Sequence, residues 1–94
     1  MIKTITSKDN PRVKFALSLR ESKNRKANNM FLAETFKALE MAIANKQVLE
    51  VFATEWIDLP EEVALNLVSE DIIKKLSSNV SAEGVVFICK MNVN

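Results

Sequence analysis

Histidine is absent from the 94-residue chain, and with it the commonest general base and the commonest metal ligand. One glycine, Gly84, leaves no material for a glycine-rich phosphate loop. One cysteine, Cys89, excludes an internal disulfide and suits a reducing compartment, so a cytoplasmic location is expected. No apolar run approaches the ~20 residues of a membrane-spanning helix, and the N-terminal residues carry no apolar signal-like core, so no membrane partner is expected. Ligand spacings typical of metal sites are missing, as are internal repeats and low-complexity segments. What is present is 48% hydrophobic and 27% charged residues, the composition of one globular domain spanning 1–94.

The net charge of +1 conceals a division. Residues 1–28 carry Lys3, Lys8, Arg12, Lys14, Arg20, Lys23, Arg25 and Lys26 against only Asp9 and Glu21. Acids outnumber bases two to one over residues 29–94. A basic end on an acidic body points to a polyanionic partner, against the plainer reading of a solvated face.

The chain is organised around residues 30–43. Met30 to Ala33 is a continuous apolar run, as in a strand covered on both faces. The period then becomes helical: Phe36, Leu39 and Ile43 share one side. Thr35 is placed to cap that helix, and Glu34 sits where α/β proteins put their sites, at the carboxyl end of a strand.

Before this unit, residues 1–9 read as an extended arm, pinned by Ile2 and Ile5. Asn10-Pro11 opens a helix with Val13, Ala16 and Leu17 on one side. Lys14, Ser18, Glu21 and Arg25 line another side, and Ser22 to Asn29, without a large apolar residue, reads as a frayed turn. After it come a strand over 49–54, a loop holding Trp56 and Pro60, and a strand over 63–68. Ser69 caps a helix over 70–78, and an apolar strand follows Gly84. This order predicts a three-layer α/β domain, with a four-stranded, mainly parallel or mixed sheet and helices on both faces. Its expected core is Phe31, Phe36, Leu39, Phe52, Leu67, Ile72, Leu76, Val86 and Ile88.

Candidate chemistry is thin. Glu61-Glu62 lies in a loop and Glu70-Asp71 in a helix first turn, where solvation and the helix dipole account for them. Cys89 has no histidine to activate it and reads as a buried, inert thiol. Trp56 is expected to cover the sheet edge rather than stack a base. The chain alone reads as non-catalytic.

One combination of motifs is more specific. Ser7-Lys8-Asp9-Asn10-Pro11-Arg12-Val13-Lys14 is followed by Leu17 and Leu19, Arg25, Phe31-Leu32-Ala33-Glu34, Ile72 through Leu76-Ser77, and Ala82-Glu83-Gly84-Val85. In that order they resemble the N-terminal substrate-binding domain of the SpoU/TrmH family, RNA ribose 2′-O-methyltransferases of the SPOUT class. Two positions depart: Thr35 stands where the family has glycine, and Ala82-Glu83 replaces Pro-Gln.

The resemblance implies an L30e-like domain that binds RNA (rRNA or tRNA) and presents it to a C-terminal domain. That second domain would carry the trefoil knot, the S-adenosylmethionine site, the catalytic arginine and the homodimer contact. No cofactor and no catalytic residue are then expected within residues 1–94. The chain ends at Asn94, where the interdomain linker would begin, so a domain cut from a longer enzyme is expected. RNA-contacting candidates are Asn10 as a neutral donor, Arg12, Lys14, Arg20, Lys23, Arg25 and Lys26, with Glu34 on its loop. Ion pairing, for example with Glu21, is the plainer role for Arg12 or Arg20. Two rivals stay open: a stand-alone L30e-like RNA binder, and a protein–protein docking domain.

Overall fold

Strand Val85–Lys90 is an interior strand of the sheet, as the burial of every side chain from Val85 to Cys89 requires. Such a run needs protein on both faces and a neighbour on both edges. The computed structural model describes residues 2–77 and 83–91 and meets both needs. Its elements are β1 (Ile2–Ile5), α1 (Pro11–Ser18), α2 (Ser22–Asn28), β2 (Met30–Glu34), α3 (Phe36–Ala44), β3 (Val48–Ala53), β4 (Ala64–Val68), α4 (Glu70–Leu76) and β5 (Val85–Lys90).

The sheet has five strands in the order β1-β4-β3-β5-β2. Strand β4 is parallel to β1 and β3, whereas β5 is antiparallel to its neighbours β3 and β2. Strands β2 and β3 therefore run the same way, joined by α3 across the inserted β5. The expected α/β class and mixed sheet are borne out, with one strand more than the sequence suggested. The arm contributes it: Ile2 to Ile5 pair with Leu65 to Val68. An edge strand needs one row of hydrogen bonds, and only Ile5 points inward at 5% exposure, so no alternation marked it.

Two cores sandwich the sheet. On one face Val13, Ala16 and Leu19 pack with Ile72 and Leu76 against Phe52, Val86 and Ile88. On the other, Leu39 and Ala42 of α3 meet Val51, Val85, Phe87 and Cys89. Phe36, expected in the core, is 44% exposed. It is the first residue of α3, and the buried stripe runs through Leu39 and Ala42 with Ala38 and Ile43 beside them, turned from the expected side. Phe31 and Leu67 are only partly buried, while the other expected core residues are inside. Trp56 lines a shallow pocket with Ile2 of the edge strand β1 but remains 61% exposed, so it covers that edge only in part. Cys89 is buried as expected, and burial pushes its thiol up to about 11, so the nucleophilic thiolate is scarce at neutral pH.

The basic segment is two helices rather than one with a frayed end. Helix α1 closes at Leu19, whose N–H bonds the Ala16 carbonyl, and Glu21 is extended before α2 starts. Lys14, Ser18, Glu21 and Arg25 therefore do not share a helix face.

Candidate nucleic-acid interface

Local sequence fixes where the basic helices begin. The Asn10 side-chain carbonyl accepts from the Arg12 N–H at 2.8 Å, and Pro11 occupies the first turn of α1. Asn10 thus spends its oxygen on the cap. Helix α2 buries no residue and is attached by polar side chains instead. Asn24 Nδ2 donates to the Ser18 carbonyl at 3.0 Å. Arg25 Nη1 donates to the carbonyls of Leu19 at 3.1 Å and Arg20 at 2.7 Å. These carbonyls follow the last turn of α1, so the Arg25 charge also complements that helix end.

Arg12 is committed elsewhere. Its Nε donates to both Glu50 oxygens at 3.2 and 3.3 Å, and Nη2 pairs with Oε1. Its guanidinium also lies 4.9 Å from the Phe15 ring centroid. Asn66 Nδ2 donates to the other carboxylate oxygen at 2.8 Å, so the buried Glu50 is paired on both sides. The hydrogen bond to Glu50 holds the Arg12 pKa above its ordinary value, so the charge persists throughout the accessible pH range. Losing the guanidinium would leave a buried carboxylate under-satisfied, at about 1–3 kcal/mol. The sequence hint was a lone Glu50 and a lone Asn66 inside apolar strands, but their pairing is not local.

Lys14, Lys23 and Lys26 are exposed. Among the described residues the Arg12–Glu50 contact is the one ion pair, so the remaining basic groups of α1 and α2 face no carboxylate partner. Arg20 instead donates to the Lys75 carbonyl near the end of α4, at 3.4 Å.

Arg20 and Arg25 share a cleft of about 410 Å³ with Glu34. Leu19, Phe31, Leu32 and Leu76 supply its apolar lining. Glu34 ends edge strand β2, and the Ser77 hydroxyl donates to its Oε1 at 2.5 Å. The next residue, Thr35, is held at φ 84°, a region costly for a β-branched side chain and one that glycine enters freely. Its hydroxyl caps α3 by accepting from the Ala38 N–H at 3.2 Å. Glu83, the other departure from the motif, accepts from the Phe36 N–H at 3.0 Å, so its charge meets the positive end of α3. Gly84 has φ 86°, and a Cβ there would lie 2.9 Å from Thr54 Oγ1. Asn10, Arg12 and the three lysines do not line the cleft; Arg20, Arg25 and Glu34 do. The orienting Ser77 was passed over because only folding brings it to Glu34.

The family model of the MRM3-like substrate binding domain matches residues 10–86. The chain belongs to that family. Among solved structures it is similar to an RNA 2′-O ribose methyltransferase, with 34% identity and a TM-score of 0.78 over 95% of this chain and 38% of that one. An AdoMet-bound rRNA methyltransferase from Sinorhizobium meliloti gives 22% identity and a TM-score of 0.83 over 99% of this chain and 38% of that one. The SpoU methyltransferase AviRb from Streptomyces viridochromogenes gives 16% and 0.72, over 89% and 36%. The latter two speak for the fold alone. No curated protein matches the chain. The chain spans about 38% of the first solved relatives, and the L30e-like substrate-binding domain that the motifs resemble is borne out.

Proposed function

We propose that residues 1–94 form the RNA-binding domain of an S-adenosylmethionine-dependent 2′-O-ribose methyltransferase of rRNA or tRNA. The parent enzyme would be cytoplasmic, with the cofactor and the homodimer contact in its other domain. The observation that carries this is the cationic surface of the family-matched segment: Lys14, Lys23 and Lys26, flanked by Arg20 and Arg25, without a carboxylate partner among the described residues. A ribose methyltransferase must hold a folded RNA so that one 2′-hydroxyl reaches the methyl donor. That requires backbone contacts that position the RNA rather than read it. Lysines on α1 and α2 supply point charges for phosphates, while Arg12 fixes α1 against the sheet through Glu50.

Salt dependence tests the reading. Each neutralised phosphate releases condensed counterions, with a slope of log K against log salt of about −0.7 to −0.9 per contact. Changing Lys14, Lys23 and Lys26 to Gln is expected to flatten the slope for a stem–loop RNA by about 2. Those side chains are exposed, so the fold should be unaffected. An unchanged slope would place the RNA surface elsewhere. Specific 1:1 binding of S-adenosylmethionine in a calorimetric titration would refute the division of labour.

A further inference from the structure

We propose that the outer edge of β1, with the loop that carries Trp56, is a docking surface for an extended, arginine-bearing segment of another protein. This surface goes beyond the RNA-binding reading and does not depend on it.

The argument begins from two apolar side chains left in water. Ile2 is 55% exposed and Trp56 61%, and both line one hollow of about 160 Å³ beside Leu65. Single exposed apolar residues are ordinary, but two that converge inside a charged rim mark a contact surface. Tryptophan is also among the side chains that most often anchor a protein interface. The strand beside it is unfinished. β1 ends the sheet and pairs with β4 alone among the described strands. Its other edge offers backbone N–H and C=O groups to an incoming strand.

The rim chooses the occupant. Glu55, Asp58, Glu61 and Glu62 are all exposed, and no lysine or arginine occurs from residue 47 to residue 73. None of the four acids has an ion-pair partner among the described residues. Lys46 and Lys90 line the neighbouring cleft with Glu62, whereas Asp58 and Glu61 line the hollow itself and carry the selection. Lys3 does not neutralise them. Alternation along β1 sets it on the face of Ile5, toward α1 and α4, while Ile2 lies on the opposite face. Phosphate is repelled by such a rim, and a second copy of the chain would set two acidic rims against each other. A guanidinium satisfies both parts of the surface at once, since its plane stacks on an indole and its fork bonds a carboxylate. RNA held by α2 would not compete. Helix α2 contacts β2, at the other edge of the sheet, four strand spacings or ~19 Å from β1. That is about two Debye lengths at physiological salt, so the acidic and basic sites act independently.

The test uses the 94-residue chain and a fluorescein-labelled peptide of alternating arginine and valine. Anisotropy reads the peptide, and Trp56, the one tryptophan of the chain, reads the surface through its emission. Saturable binding that shifts the Trp56 emission is expected. Trp56→Ala should weaken binding about tenfold or more, as loss of an interface anchor does. Asp58→Asn with Glu61→Gln should weaken it several-fold and flatten its salt dependence. Methylating the amides along one edge of the peptide keeps its charge but blocks strand pairing, and should abolish binding. The three substituted side chains are exposed, so these variants should fold. Absent binding of the peptide, or binding indifferent to Trp56→Ala, would overturn the proposal. A stem–loop RNA that shifts the Trp56 emission would overturn it too, by placing nucleic acid on this surface. So would self-association in sedimentation that Trp56→Ala abolishes, which would place a second copy there. The salt slope set by Lys14, Lys23 and Lys26 is measured separately, so failure here is distinguishable from failure of the RNA-binding reading.

Discussion

Helices α2 and α4 each have seven residues and flank the same cleft, yet opposite forces hold them. Helix α4 buries Ile72, Ile73 and Leu76; Ser69 caps its start, Glu70 and Asp71 occupy its first turn, and Lys74 and Lys75 its last. Local propensity, dipole and burial agree in it. Helix α2 buries nothing, has no side-chain cap bond at Glu21 and is tied to α1 through Asn24 and Arg25. Seven residues are too few for a helix to stand alone in water, so α2 depends on those ties. The difference separates a helix that builds the domain from one that presents charge. Lysines that contact phosphate have to remain in water until RNA arrives, and a helix without a buried face leaves its cations there.

The largest effect that would break the comparison is on packing. Ile72→Ala should lower unfolding stability by about 2–5 kcal/mol, because Ile72 is fully buried. The counterpart in α2, Ala27→Gly, removes only helix propensity and should cost at most about 1 kcal/mol. Urea titration of both variants decides. Equal losses would mean that α2 belongs to the cooperative core after all.

A middle-sized effect concerns the tie itself. Arg25→Ala removes two charge-assisted bonds to carbonyls, in a half-buried setting where each such bond is worth about 1 kcal/mol or somewhat more. The loss should appear in α2 alone: its amides should exchange faster while those of α4 continue to exchange with global unfolding. Parallel acceleration in α4 would show the two helices opening together.

These two helices also show what the sequence made legible. The α4 segment announced itself through Ser69, two acids and the Ile72, Ile73, Leu76 spacing, all of them local signals. The α3 segment was visible too, although its buried side turned out to run through Ala42 rather than Phe36, since a helix's first residue sits at the rim of its contact. The α2 segment looked like a frayed end because a helix held by side chain-to-carbonyl bonds has no apolar period to detect. Strand β1 escaped for a related reason, as a parallel edge strand is defined by its partner β4, where Ile2 pairs with the distant Leu65. At the site, Glu34 stood out from its place at a strand end, and Arg20 and Arg25 from the charge count. That these three meet in one cleft, and that Glu50 withdraws Arg12, are consequences of the sheet order, which no short-range pattern encodes.

The smallest expected effect sharpens the comparison most, because it attempts to make α2 resemble α4. Glu21 occupies the N-cap position of α2 with extended backbone, φ −93° and ψ 132°, and makes no capping bond. Serine adopts that conformation and its hydroxyl can accept from the exposed first-turn amides, as Ser69 does for Ile72 at 3.3 Å. Glu21→Ser should therefore stabilise α2 locally by about 0.5–1 kcal/mol, read as slower amide exchange over residues 22–28. Glu21→Gln removes the same negative charge without supplying a good cap, so it isolates electrostatics. Both variants should tighten binding of a stem–loop RNA slightly, since each removes an acid from the cationic segment. Only the serine variant should also slow exchange in α2. If the additional tightening in serine over glutamine is absent, α2 is already ordered before RNA binds. If it is present, part of the RNA affinity is spent ordering α2, and the weakly held helix is itself a determinant of how tightly the domain binds.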